Sequence, residues 1–441
     1  MRPTAALILV LAGLAGCGGS DEAEPVKTGE FATAECGTYS GRGCAPGARR
    51  VDREPPAFTH PAEIDNPMNP ISRLRSVVLV GHVGSKRFRT ETTLLPGTET
   101  IRWGGRRIDV LRSQYMAWED GQIVELAIDR YAQDDERNVW YLGEDVFDYK
   151  NGAVASTEGT WLAGREGPGA MIMPAHPSAG DVYRTENVPG IVFEEVTVKS
   201  TDERVTGPRG PIERAIIGTE LHLDRTTEDK IFAPGYGEFR TSGGGDLEAL
   251  ALAVPTDARK GPMPRELREI ATAASGMVGS AQAEDWQAVR STLERMTADW
   301  EKVRAGRVPP LLESQMDKAL SRLRGGVRAR KIVATGLAAV DVGEANFDLE
   351  LQYRPPVEID QERFRLWTSR ALLHAQARDL GRVTGDATAM ELVRDRFAHA
   401  LDSGRRRRLD AGLRDVRSAT EARNASAAAD RAAYVATLVA P

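Results

Sequence analysis

The chain has 441 residues and a formal net charge of −6. So mild a balance excludes the strongly basic surface that nucleic acids require, and no nucleic-acid partner is expected. Hydrophobic residues make up 41% of the chain, enough for folded cores, and only the extreme N-terminus carries a long unbroken apolar run.

That run covers 5–16, follows Arg2 and ends at Cys17-Gly18-Gly19-Ser20. It is too short to span roughly 30 Å of hydrocarbon, so it reads as the core of a signal peptide. Leu14-Ala15-Gly16-Cys17 resembles the bacterial lipobox, in which a peptidase cuts before a cysteine whose thiol carries diacylglycerol. The competing reading is an ordinary secretory signal that contains a cysteine. The resemblance implies a lipoprotein signal peptide at 1–16 and a lipid on Cys17 that holds the protein to a membrane. Each buried CH₂ of such chains contributes about 0.8 kcal/mol. The remainder is then extracytoplasmic, in the cell envelope.

Cys36 and Cys44 lie eight positions apart in a Gly-rich stretch. In an oxidising compartment they are expected to close a small disulfide loop. Residues 17–58 lack apolar periodicity and are rich in Gly, Pro, Glu and Arg, the composition of a tether.

Over 59–254 the signals are those of strands. Runs at 108–118, 123–133, 138–149 and 153–161 are rich in β-branched and aromatic residues. Asp120-Gly121, the polar cluster 134–137 and Asn151-Gly152 divide them. Asp-Gly and Asn-Gly supply the positive φ of tight hairpin turns, which predicts an antiparallel meander. Val124, Leu126 and Ile128 alternate with Glu125 and Asp129, so one face of the sheet is expected to be wet. Further strands are expected at 191–200, 215–223 and 236–241, whereas 72–90 shows no clear strand-turn pattern.

Pro255, Pro262 and Pro264 bracket a basic stretch, read as a linker at 255–264. The period then changes. Trp286, Val289, Leu293, Met296, Trp300 and Val303 step by three and four, the seam of an amphipathic helix. Similar stripes run through 312–327, 364–372 and 392–401, and an Ala- and Arg-rich stretch from Arg405 on adds another helix. The expected fold class is therefore α+β: an antiparallel β domain at 59–254, then an all-α helical bundle at 265–441.

Several pieces of the β region resemble a family of uncharacterised secreted bacterial proteins: 58–70 (FTHPAEIDNPMNP), 131–143 (YAQDDERNVWYLG), 149–161 (YKNGAVASTEGTW), 171–181 (MIMPAHPSAGD) and 233–237 (APGYG). The resemblance covers roughly 60–245 and implies an extracytoplasmic antiparallel-sheet domain, with no activity attached. The stretch 347–367 is similar to helical bundles of other bacterial envelope proteins.

Common catalytic signatures are missing: there is no GxSxG, HExxH, Walker loop or CxxCH. Six scattered histidines make no pair at helical or strand spacing. His222 and Asp224 would share a strand face and are candidate metal ligands, against the plainer reading of a surface hydrogen-bonded pair. Trp140 and Tyr141 are candidate ligand-binding aromatics, against core packing. Acidic clusters at Glu119-Asp120, Asp134-Asp135-Glu136 and Glu144-Asp145 suggest either a calcium or carbohydrate site, or solvated turns. The run Arg405–Arg408 suggests contact with headgroups or wall polymers, or a solvated helix start. No cofactor is expected. The reading that follows is a non-catalytic envelope protein that binds a ligand, polymer or partner protein. The alternative is a hydrolase or metal-dependent enzyme whose site is assembled from residues distant in sequence.

Overall fold

The structure, a computed structural model, describes residues 44–188 and 190–439. The leader, Cys17, Cys36 and most of the tether lie outside the described residues. Among those described, no helix is long and apolar enough to cross a membrane.

The fold is α+β, with one antiparallel sheet followed by helices. The strands are β1 (Ser76–Val83), β2 (Lys86–Trp103), β3 (Arg106–Glu119), β4 (Gln122–Gln133), β5 (Val139–Lys150), β6 (Ala153–Ser156), β7 (Trp161–Leu162), β8 (Ala170–Met173), β9 (Val182–Val188), β10 (Val192–Gly207), β11 (Gly210–His222), β12 (Thr227–Ala233), β13 (Gly237–Gly243) and β14 (Asp246–Val254). The helices are α1 (Arg265–Gln282), α2 (Trp286–Arg304), α3 (Pro310–Ala329), α4 (Ile332–Glu350), α5 (Pro356–Gln376), α6 (Leu380–Phe397), α7 (Ser403–Glu421) and α8 (Ala425–Leu438).

The hairpin chemistry works as the residue types dictate. Asp120 and Gly121 take φ of 47° and 77° between β3 and β4, and Asn151 and Gly152 take 52° and 76° between β5 and β6. The expected strand at 153–161 breaks into β6 and β7. The stretch 72–90 forms β1 and the start of β2, whose alternation is hidden because inward positions carry polar Thr90 and Thr92.

Strand order is β6-β5-β4-β3-β2-β1-β14-β13-β12-β11-β10-β9, with β7 and β8 continuing the free edge of β5. β8 also runs beside β9. The sheet therefore curls until its two halves face each other. Antiparallel register gathers the turns at 84–85, 120–121, 151–152, 223–226 and 244–245 at one end. The other end is plugged by the segment before β1. There Asn66 is fully buried, donating from Nδ2 to the Pro174 carbonyl at 3.1 Å and from its backbone N–H to Gln133 Oε1 at 2.9 Å. Ile64 and Ile71 pack with Leu111, Ile216 and Phe232.

The helices cover the outside of the curl. Val78, Leu252 and Val254 share a core with Leu267, Met296, Trp300 and Met316. Met116, Trp118, Ile123 and Leu126 share another with Phe364, Met390 and Phe397. Asp285, Asp379, Asp402 and Asn424 accept backbone N–H groups at the starts of α2, α6, α7 and α8, satisfying donors the first turn leaves open.

The stretch 255–264 is pinned. Asp257 is fully buried, accepting from the Ala253 backbone N–H at 2.9 Å and the Tyr236 hydroxyl at 2.8 Å. Arg259 donates from its backbone N–H to the Gln352 carbonyl and from Nε to Gln352 Oε1, both at 2.8 Å. Sheet and helices thus meet through a fastened connection.

Candidate functional site: an acidic cavity inside the curled sheet

The period of two in β4 has a different partner from the one its sequence suggests. Leu126 turns outward and is buried beneath the helices, while Glu125 and Asp129 point into the curl. The polar face is not an outer solvent face; it lines a cavity of about 260 Å³.

Every strand of the facing half adds to that lining. Glu186 comes from β9, Glu194 from β10, Glu220 from β11, Glu228 from β12, Glu238 from β13 and Glu248 from β14, giving eight carboxyl groups with Glu125 and Asp129. Among the described residues, Lys230 is the one Lys or Arg in the wall. Four tyrosines, Tyr115, Tyr131, Tyr141 and Tyr236, line the same space. The rings of Tyr131 and Tyr141 stack with centroids 5.0 Å apart, and the Tyr141 hydroxyl donates to Asp129 Oδ1 at 2.8 Å.

Burying a carboxylate without compensation is unfavourable, so these groups hold protons, find partners, or attract cations. Burial, reinforced by Asp148 and Asp129, pushes the Glu125 carboxyl up to about 8. Burial and the neighbouring Glu238 take Glu248 to about 8 despite the Thr90 hydroxyl that donates to it. Asp129 rises to about 6 through burial, with its tyrosine hydrogen bonds pulling the other way. Where β5 and β9 close the curl, burial raises Glu144 and Glu186 together, so this pair favours sharing a proton. Trp161 Nε1 donates to Glu186 Oε1 at 3.0 Å.

Toward the turn-bearing end lies a second kind of arrangement. Thr185 Oγ1 stands 3.1 Å from Glu220 Oε1 and 3.3 Å from Glu194 Oε2. Lys230 Nζ lies 2.6 Å from Glu220 Oε2. The His222 ring stands between Glu194 Oε1, 3.1 Å from Nδ1, and Glu228 Oε1, 3.6 Å from Nε2. Burial alone would lower its pKa, but the carboxylates of Glu194 and Glu228 on either side of the ring lift it to about 11.

Of the residues singled out from sequence, His222 is thus part of this wall's edge, but Asp224 is not beside it. β11 ends at His222, and Asp224 sits in the following turn, accepting from Thr226 Oγ1 at 2.6 Å and from its backbone N–H at 2.9 Å. Tyr141 lines the cavity, whereas Trp140 packs on Trp103, centroids 5.8 Å apart, and donates to Asp134 Oδ2 at 2.8 Å. The acidic clusters do not converge. Glu119 pairs with Lys86 and Asp120 with Arg87, Asp134 ties its own turn, and Glu144 lies within β5. Arg405–Arg408 form the exposed first turns of α7. Sequence reasoning missed the cavity carboxyls as a set. Their only trace is one acidic residue recurring at an alternating position in strand after strand.

No protein-family model matches the chain, and no curated protein matches it.

Proposed function

We propose that this is a non-catalytic binding protein of the cell envelope, carried on a membrane by lipid at Cys17, whose curled sheet receives a small organic cation. Cys36 and Cys44 would close a disulfide at the base of its tether. The observation that carries the binding reading is the imbalance inside the sheet: eight carboxyl groups and one lysine around a single cavity.

Two further features favour an amine. Four tyrosines line the cavity, and an aromatic face that meets an ammonium group attracts it by about 0.5–2 kcal/mol. An entering ammonium group also compensates the charge of a buried carboxylate, so it can take the place of the protons that burial keeps on Glu125 and Glu248. The volume lies just below the roughly 300–1,000 Å³ typical of ligand pockets, which suits a compact molecule.

Calorimetric titration of the full chain with 1,4-diaminobutane and with succinate tests the reading. Saturable binding of the diamine, with none of the dicarboxylate, is expected. Equal binding of both, or of neither, would refute charge-selective uptake.

A further inference from the structure

The geometry points to a divalent transition-metal site formed by Glu194, Glu220 and His222 at the turn-bearing end of the cavity. One ligand atom from each lies within 4.8 Å of the other two. Zinc bonds to nitrogen and oxygen at about 2.0–2.2 Å, so ligand atoms sharing one ion sit roughly 3.4 Å apart. Nδ1 of His222 and Oε1 of Glu194 already stand at 3.1 Å, and a rotamer adjustment of Glu220 completes the set.

The surroundings supply what such a site needs. A metal-bound imidazole nitrogen must present its lone pair, which requires the proton on the other nitrogen. Glu228 Oε1 is buried, accepts no hydrogen bond, and lies 3.6 Å from Nε2. It is placed to take the Nε2–H and leave Nδ1 facing Glu194 and Glu220. Thr185 Oγ1, within 3.3 Å of both metal-facing glutamates, orients their carboxylates.

Charge also closes. With a neutral imidazole, the three carboxylates of Glu194, Glu220 and Glu228 are matched by Lys230 and one dication. Side chains of His222 and Glu194 are 18% and 25% exposed, so an ion has a way in and water a coordination position. Mixed imidazole and carboxylate donors select a transition metal over calcium, which takes oxygen ligands.

This site does not depend on the organic-cation reading, and its test is separate. The full chain, stripped with chelator, is titrated with zinc and with calcium. The expected result is one zinc per chain, with calcium much weaker, and a zinc-edge absorption spectrum showing one imidazole among oxygen ligands. His222→Ala should weaken zinc binding at least 100-fold and Glu228→Gln about 10- to 100-fold, whereas Asp224→Asn should leave it unchanged. The spectrum of the unaltered chain keeps the test valid if a variant fails to fold. Absence of zinc binding, a spectrum without imidazole, or full affinity in a folded His222→Ala chain would overturn the site. Diamine binding without zinc binding refutes the metal site alone, and zinc binding without diamine binding refutes the organic-cation reading alone.

Discussion

Glu91 on β2 accepts a hydrogen bond from the Arg396 guanidinium on α6, 305 residues away, and both side chains are buried. Around them Arg363 pairs with Glu91 at 3.2 Å and with Asp348 at 2.6 Å, Arg89 reaches Asp348 at 2.6 Å, and Asp360 lies 3.5 Å from Arg396. Three arginines thus meet three carboxylates inside the seam between sheet and helices. Removing one partner of such a network strands a buried charge, which costs about 3–5 kcal/mol. Arg396→Met should lower unfolding stability by that amount, read as a reduced denaturant midpoint with unchanged slope.

The same seam bears on the independence of the two halves. Trp118 on β3 stacks on Trp367 of α5 with centroids 6.2 Å apart, and the apolar cores on either side draw residues from both halves. Expressed alone, 265–441 should retain far-ultraviolet helical signal yet bind hydrophobic dyes and melt without cooperativity. A sharp two-state melt of that fragment would show that it folds as a module.

How far the sequence reveals this architecture depends on which surface each residue meets. The Asp120-Gly121 turn is legible because only a few residue types tolerate its backbone. The helix α4 is not, since every residue from Ala345 to Glu350 is buried, so all sides are covered and no exposed polar stripe marks a period. Glu125 and Asp129 are visible as one face of an alternating strand, but a polar residue facing a cavity and one facing bulk water produce the same pattern. The curl that decides between them is set by pairings such as β1 with β14, between segments about 170 residues apart. His222 carries no sequence partner because Glu194 and Glu228 reach it from two other strands.

Cavity carboxyls that keep their protons make stability depend on pH. Folded Glu125 holds its proton up to about pH 8, against an ordinary value of 4.5. The native state therefore binds more protons than the unfolded chain between those values, and stability falls as pH rises through them. Glu125→Gln removes that linkage. The variant should melt several degrees above the unaltered chain at pH 8 and within about a degree of it at pH 5. Equal shifts at both pH values would show that Glu125 is ionised throughout.

The proposed attachment to a membrane would use the Cys17 thiol as acyl acceptor. Cys17→Ser should move the protein from the detergent phase to the aqueous phase and abolish fatty-acid labelling. Undiminished labelling in the variant would remove the lipid anchor from the account.

The most direct measurement is a crystal structure of the full chain grown with 1,4-diaminobutane. The account predicts one diamine inside the curled sheet, an ammonium nitrogen at about 2.7–3.1 Å from Glu125 or Glu248 and its chain against the Tyr131 and Tyr141 rings. A cavity holding only water, with the diamine on the outer surface or absent, would contradict it.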